Sequence, residues 1–191
     1  NLTLASDFTI ENSTVTDYGT AAVVALSADR LRVSGNTING TLPINNKAGV
    51  RIVGCAFCLI DNNSLTANYV NETFVFLEPP MGIHDQSPLG ANTLRGNRVV
   101  NFHLGILIED AIHPQQVLQN IVGEGLATGL ELKDSPNQTV SDNQIVGRNF
   151  SFAVNVSSPT TPWYYRQYLT NNTVDGRALL YLVDQAGTVV D

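Results

Sequence analysis

Charged side chains are scarce in this sequence: Asp, Glu, Lys and Arg make up 14% of its 191 residues, against about a quarter in ordinary soluble chains. A protein of long helices needs Lys, Glu and Arg on its wet face, and the shortage argues against one. No window spaces its apolar residues at i, i+3, i+4 and i+7 well enough to read as a helix. Long apolar runs are missing too. The longest, such as Ala21 to Leu26 and Ala178 to Val183, reach six residues, far below the ~20 needed to cross a bilayer. Basic residues number 10 against 17 acidic ones, a net charge of −7, which excludes a nucleic-acid binder held by bulk electrostatics. No Met or secretory signal opens the chain, so Asn1 to Asp191 reads as one domain taken from a longer or processed protein.

Asparagine is plentiful instead, with 20 copies, beside 28 Ser and Thr. The asparagines are ordered. An apolar residue, two residues, Asn, one residue and an apolar residue recur as Val33-Ser-Gly-Asn36-Thr-Ile38, Ile60-Asp-Asn-Asn63-Ser-Leu65 and Leu94-Arg-Gly-Asn97-Arg-Val99. The pattern continues around Asn120, Asn143 and Asn172, with an imperfect first copy at Asn12. Successive copies are 24, 27, 34, 23, 23 and 29 residues apart. Between them runs a second element, a Gly before alternating apolar residues, as in Gly49-Val-Arg-Ile-Val, Gly105-Ile-Leu-Ile-Glu and Gly129-Leu-Glu-Leu-Lys.

Each unit thus holds two short β-type runs separated by turn residues. So small a unit cannot bury a face alone, whereas stacked units bury a continuous core. The expected fold is all-β, a parallel β-helix solenoid of about seven coils. Stacked corner asparagines would bond through their amides along the rod and would tolerate a left-handed backbone there. A propeller needs four strands and about 40 residues per blade, which these intervals do not supply.

The spacing resembles the right-handed parallel β-helix of the pectate-lyase-like superfamily. Within it, the sequence is most similar to the NosD-like, carbohydrate-binding and sugar-hydrolase (CASH) domains. Residues 171–185, NNTVDGRALLYLVDQ, resemble a recurring phrase of archaeal surface β-helices. The resemblance implies the fold strongly and an activity weakly, since one scaffold hosts lyases, hydrolases, epimerases, adhesins and plain rods.

Longer intervals imply excursions from the rod at Thr41 to Ala48, Ala67 to Pro80 and Ser157 to Gln167. The last carries Trp163, Tyr164 and Tyr165, which either stack on a sugar ring or seal one side of the rod. Cys55 and Cys58 form a Cys-x-x-Cys without the second pair that a zinc site needs. They are either buried thiols or a disulfide across a corner. No metal or other cofactor is expected.

Asn-x-Ser/Thr sequons occur nine times, at Asn1, Asn12, Asn39, Asn62, Asn71, Asn137, Asn149, Asn155 and Asn171, where chance placement predicts about three. Corner chemistry supplies part of the excess, and passage through a glycosylating secretory route would supply the rest. Candidate acids follow the recurrent glycines: Asp85, Glu109, Asp110 and Asp134, with His84 or His113 as a proton carrier. Glu109 stacked over Lys133 also reads as a plain surface pair.

The leading expectation is a non-catalytic, extracellular, glycosylated structural module of a cell surface. It would associate with other surface subunits or with itself through the rod ends. The alternative is a carbohydrate-active domain that binds or cleaves a polysaccharide along the outward strands.

Overall fold

The computed structural model describes residues 2–3, 6–40, 48–67, 79–125, 128–147, 150–157 and 162–181. Their strands form parallel sheets of seven, seven and eight strands. Sheet I has Leu2–Thr3 and then six-residue strands: Ala21–Leu26, Ala48–Val53, Met81–Gln86, Leu104–Glu109, Thr128–Lys133 and Phe150–Asn155. Sheet II has three-residue strands, among them Arg32–Ser34, Leu59–Asp61, Thr93–Arg95, Gln116–Leu118, Thr139–Ser141 and Tyr168–Thr170. Sheet III includes Thr37–Gly40, Ser64–Ala67, Arg98–Val100, Ile121–Gly125, Gln144–Gly147 and Thr173–Val174. Its last strand turns back as Arg177–Ala178, the one antiparallel pair among the described residues. The chain visits sheets II, III and I in turn, and each strand pairs with its copy one turn away. Val33 lies over Ile60 and Ile60 over Leu94, for example.

The interior is filled from all three sheets. The residues flanking each repeat Asn point inward: Val33, Ile38, Ile60, Leu65, Leu94, Val99, Val117, Val122, Val140 and Ile145 are at most 1% exposed. These pairs mark five closed turns. Ile10, Val15, Leu169 and Val174 hold the same positions farther out and are only partly buried. They belong to the first and last turns among the described residues, so five closed turns stand there against the seven expected from the repeat.

Asn36, Asn63, Asn97, Asn120, Asn143 and Asn172 form one buried file at the corner between sheets II and III. From Asn63 onward each Oδ1 accepts two bonds from the Asn one turn earlier, from its backbone N–H and from its Nδ2. For Asn97 on Asn120 these are 2.9 and 3.0 Å, and for Asn120 on Asn143 both are 2.9 Å. Nδ2 also donates to the carbonyl of an inward residue, as from Asn120 to Leu94 at 3.0 Å.

The left-handed backbone expected of these asparagines belongs to the residue before each: Asn12, Gly35, Asn62, Gly96, Gln119, Asp142 and Asn171 all have φ between 49° and 64°. In the first turn the ladder place is therefore taken by Ser13, whose N–H donates to Asn36 Oδ1 at 3.0 Å.

The recurrent glycines answer a space constraint. A Cβ on Gly49 would lie 2.7 Å from the Gly82 carbonyl oxygen and 2.6 Å from Leu65, and one on Gly129 2.6 Å from the Ser151 carbonyl. Gly82 and Gly105 are blocked in the same way, by Val99 and Val122. At these positions sheet I passes so close to sheet III that no side chain fits.

Two substitutions test this account. Asn120→Ala strands the buried N–H of Asn97 and should cost about 3 kcal/mol in a denaturant titration. Val140→Ala leaves the ladder intact and should cost about 2 kcal/mol. If Asn120→Ala proves milder than Val140→Ala, packing rather than the amide file holds the corner.

Candidate functional site

Side chains alternate across each six-residue strand of sheet I, so neighbours in sequence face opposite ways. In Met81–Gln86, Ile83 and Asp85 face the interior, while His84 and Gln86 face out. The register then builds two outward columns. Arg51, His84, Leu107 and Glu131 form one. Val53, Gln86, Glu109 and Lys133 lie in the other, with Gln86 over Val53 and Glu109 over Lys133.

A hydrogen-bonded chain crosses these columns over three successive strands. His84 Nε2 lies 3.0 Å from Glu109 Oε2, and Lys133 Nζ donates to Glu109 Oε1 at 2.5 Å. An ionised carboxylate only accepts, so the hydrogen of the first bond belongs to Nε2. Burial pushes the Glu109 carboxyl up, but the hydrogen bonds from Lys133 and His84 outweigh it and hold Glu109 below its ordinary range. The bond to Glu109 raises Lys133 in return. Side-chain exposure climbs along the chain, from 4% at His84 through 15% at Glu109 to 37% at Lys133. A ligand arriving from solvent meets the ammonium first.

Beside this chain, where the strands of sheet I end, lies a pocket of about 360 Å³ lined by Val53, Gly54, Gln86, Pro88, Leu89 and Asp110. Its polar groups are the Gln86 amide and the Asp110 carboxylate, 3.4 Å apart. Leu89 is 64% exposed, so the mouth is apolar.

The four candidate acids do not converge. Glu109 belongs to the charged chain and Asp110 to the pocket. Asp134 follows one turn after Asp110 but is held by Ser157, through its N–H at 2.7 Å and its hydroxyl at 2.5 Å. Asp85 faces the interior, in a core column between Ile52 and Ile108, fully buried. It accepts from Asn92 Nδ2 at 3.1 and 3.2 Å. His113 is exposed on the corner between sheets I and II, away from the charged chain. Among the described residues no three His, Cys, Asp or Glu side chains stand together as a metal site.

That corner holds a second polar file that the spacing of the asparagines does not reveal. Cys58 N–H donates to Asn92 Oδ1 at 2.8 Å, Asn92 N–H to Gln115 Oε1, Gln115 N–H to Gln138 Oε1 at 2.6 Å and Gln138 N–H to Gln167 Oε1 at 2.9 Å. The signal was present: an amide side chain stands two residues before the inward apolar residue in Asn92-x-Leu94, Gln115-x-Val117, Gln138-x-Val140 and Gln167-x-Leu169. Cys55 and Cys58 occupy the same corner one turn earlier, as free thiols at 0% and 1% exposure.

The aromatic cluster lies on the short helical turn Pro162–Tyr165. Trp163 stacks on Tyr164 with centroids 4.2 Å apart and stays 43% exposed. The Tyr165 carbonyl accepts from the Tyr181 hydroxyl at 2.8 Å, and Tyr181 packs edge-on against Phe152. The turn is thus tethered at one end and open at the other.

Of the sequon asparagines, Asn12, Asn62, Asn155 and Asn171 are exposed, and Asn39 and Asn137 are half-buried. Asn1, Asn71 and Asn149 lie outside the described residues, as do most of the excursions expected at Thr41 to Ala48 and Ala67 to Pro80.

The family described as right-handed beta helix region matches residues 1–186. No curated protein sequence matches the chain. Among solved structures, the chain is similar to the A-module of Azotobacter vinelandii mannuronan C-5 epimerase AlgE4, with 14% identity and a TM-score of 0.50 over 90% of this chain and 54% of that one. The AlgE6 A-module from the same organism gives 14% identity and a TM-score of 0.40 over 90% and 57%. The chain therefore spans about half the length of these structures, and the likeness is one of fold.

Asp85 carries a pH signature. Burial pushes its carboxyl up to about 6, against hydrogen bonds from Ser87 and Asn92 that pull it down. The folded state then binds the proton more tightly than the unfolded chain, so stability falls as pH rises from about 4 to about 6. The cost above that window is about 3 kcal/mol. Asp85→Asn should unfold at higher temperature than the parent at pH 7, with the gap closing by about pH 4. A gap that stays constant over this range would mean Asp85 titrates normally.

Proposed function

The chain belongs to the right-handed β-helix family, and on that scaffold we propose a carbohydrate-active domain whose ligand, an acidic polysaccharide, lies across the outer face of sheet I. The observation that carries the reading is the chain His84–Glu109–Lys133 on three successive strands. Taking a carboxylate, an ammonium and an imidazole partly out of water is costly, and a rod that needs only polar coverage has no use for it. Arg51 adds a further cation in the His84 column, within a molecule of net charge −7. The Lys133 ammonium and the Arg51 guanidinium are the groups on this face that suit the carboxylates of a uronic-acid chain.

Strand spacing of about 4.8 Å matches the rise of roughly one sugar unit per turn of the solenoid, so a polysaccharide can meet the same column repeatedly. The pocket at Gln86, Leu89 and Asp110 offers apolar walls and two polar groups, the mixture a pyranose ring needs. His84, 4% exposed, holds Glu109 from its buried side through the Nε2–H bond, and Lys133 faces the ligand's charge. The AlgE4 module is named for mannuronan, itself a uronic-acid polymer. The rigid structural module expected at first finds no support of its own in the fold or the comparisons.

Secretion belongs to the same proposal. It is supported by the exposed sequons at Asn12, Asn62, Asn155 and Asn171, and the NosD-like, CASH branch by residues 171–185. If it holds, glycopeptide mapping of the native protein finds sugars on Asn12, Asn62 and Asn171 before Asn39 and Asn137.

The functional test is binding and turnover on an acidic polysaccharide such as polymannuronate and on a neutral one. The acidic polymer should be preferred. Lys133→Met should weaken binding about 10-fold, and His84→Gln, which loses the bond that holds Glu109, about 3-fold. Asp134→Asn, at a corner already satisfied by Ser157, should change little. Failure of both polymers to bind would remove the proposal. Loss of activity on Asp134→Asn alone would move the site to the corner.

A further inference from the structure

Sheet II carries a second charged cluster, on its outer face. Val33, Ile60 and Leu94 point inward there, so the residues on either side of each face out. The register sets Arg32, Leu59 and Thr93 in one outward column and Ser34, Asp61 and Arg95 in the next. Arg95 therefore meets Asp61 directly from the later turn, and Arg32 reaches it diagonally from the earlier one. The other outward residues of the sheet are neutral except Glu11, two turns before Asp61.

The two arginines gather on a carboxylate that water hardly reaches. The Asp61 side chain is 2% exposed, against 50% for Arg32 and 47% for Arg95. Its contacts are long. Arg95 Nη2 donates to Oδ2 at 3.4 Å, Arg32 Nε lies 3.8 Å from Oδ1, and the Asn62 amide donates to Oδ2 at 3.1 Å. Oδ1 has no hydrogen-bond partner among the described residues. Arg30 shows what a completed guanidinium looks like in this chain. It holds Asp7 through Nε and Nη2 at 2.6 and 2.9 Å, and Asp29 through Nη1 at 2.8 Å.

Stability does not account for the contrast. Taking a carboxylate out of water is offset only by short, complete bonds, and neither guanidinium gives Asp61 one. The same column holds Ser34, Ser141 and Thr170 in other turns, and a hydroxyl would avoid the cost. What Asp61 does supply is a negative charge between two cations that would otherwise repel each other. The cluster keeps a net positive charge. Each guanidinium presents a fork of N–H donors, of which Arg95 uses one on Asp61 and Arg32 one on Ser34 Oγ at 3.4 Å. The rest of both forks is left for a ligand.

We propose that Arg32 and Arg95, held together by Asp61, form an oxyanion-binding site on sheet II. It takes a sulfate or carboxylate group of the kind that acidic sugars carry. The ligand's oxygens accept from the open N–H groups of both forks, with the Ser34 and Thr93 hydroxyls in the turns on either side. The site lies on a different sheet from the chain His84–Glu109–Lys133 and stands whether or not that chain binds a polymer.

The test reads the arginine side chains directly. The protein is produced without glycans, since the sequon residue Asn62 borders the site. It is titrated with sodium sulfate and with glucuronate, against sodium chloride at equal ionic strength, while the arginine Nε–H resonances are followed by NMR. Arg32 and Arg95 should shift together on one saturating curve, and the tighter of the two oxyanions names the group. Arg30, whose fork is filled by Asp7, should not move. Arg32→Lys/Arg95→Lys keeps both charges beside Asp61 but loses the forks. Read at the backbone amides of Asp61 and Thr93, it should bind about 10-fold more weakly. Shifts that never saturate, that chloride reproduces or that Arg30 shares would overturn the site. So would a double Lys variant that binds as tightly as the parent, because charge alone would then explain the effect.

Discussion

The fold depends on what becomes of a backbone N–H at a sharp, buried corner. Between sheets II and III the chain turns within a residue or two, too tightly for the ladder of either sheet to continue. The Asn amide solves this with one group, since Oδ1 takes two hydrogens from the turn before and Nδ2 returns one to a carbonyl of the core. Each Asn is satisfied only by its neighbours, so the file is stable only when several turns stand together. That is why the repeat interval can stretch from 23 to 34 residues without disturbing the corner: the extra residues lie outside it.

The same logic governs the second file with less uniform means. Its members are Asn92, Gln115, Gln138 and Gln167, and their corners differ in length. A glutamine reaches farther than an asparagine, so the backbone need not superpose as closely. The cost is a weaker signature. The II–III corner repeats in sequence as one letter at a fixed offset, and the I–II corner repeats only in chemistry.

This difference explains what was legible. The inward residues and the Asn file followed from spacing alone, because geometry there allows one solution. The left-handed residue was misplaced by one position, since Asn stands both at the ladder and before it in Asn62-Asn63 and Asn171-Asn172. Part of the sequon excess has the same origin: a left-handed Asn, a ladder Asn and a strand-opening Ser or Thr spell a sequon unaided. The candidate acids were grouped by distance from a glycine, which says nothing of the face. Strand alternation separates Asp85 from His84, placing a carboxylate among aliphatic side chains and an imidazole outside. Only coordinates could show that Glu109 bridges His84 and Lys133, because the bridge crosses columns.

Both files also point one way. In every step the earlier turn donates and the later turn accepts, so their amide dipoles add along the axis. A cross-section taken from above is chemically unlike one taken from below, whatever the two ends look like in shape. Two copies meeting face to face would set donor against donor or acceptor against acceptor. Any stacking that prolongs the files must therefore run head to tail, and a translation of that kind has no reason to close into a ring. The arrangement that fixes each corner thus leaves the rod with a sense of direction, as a magnet or a zipper has.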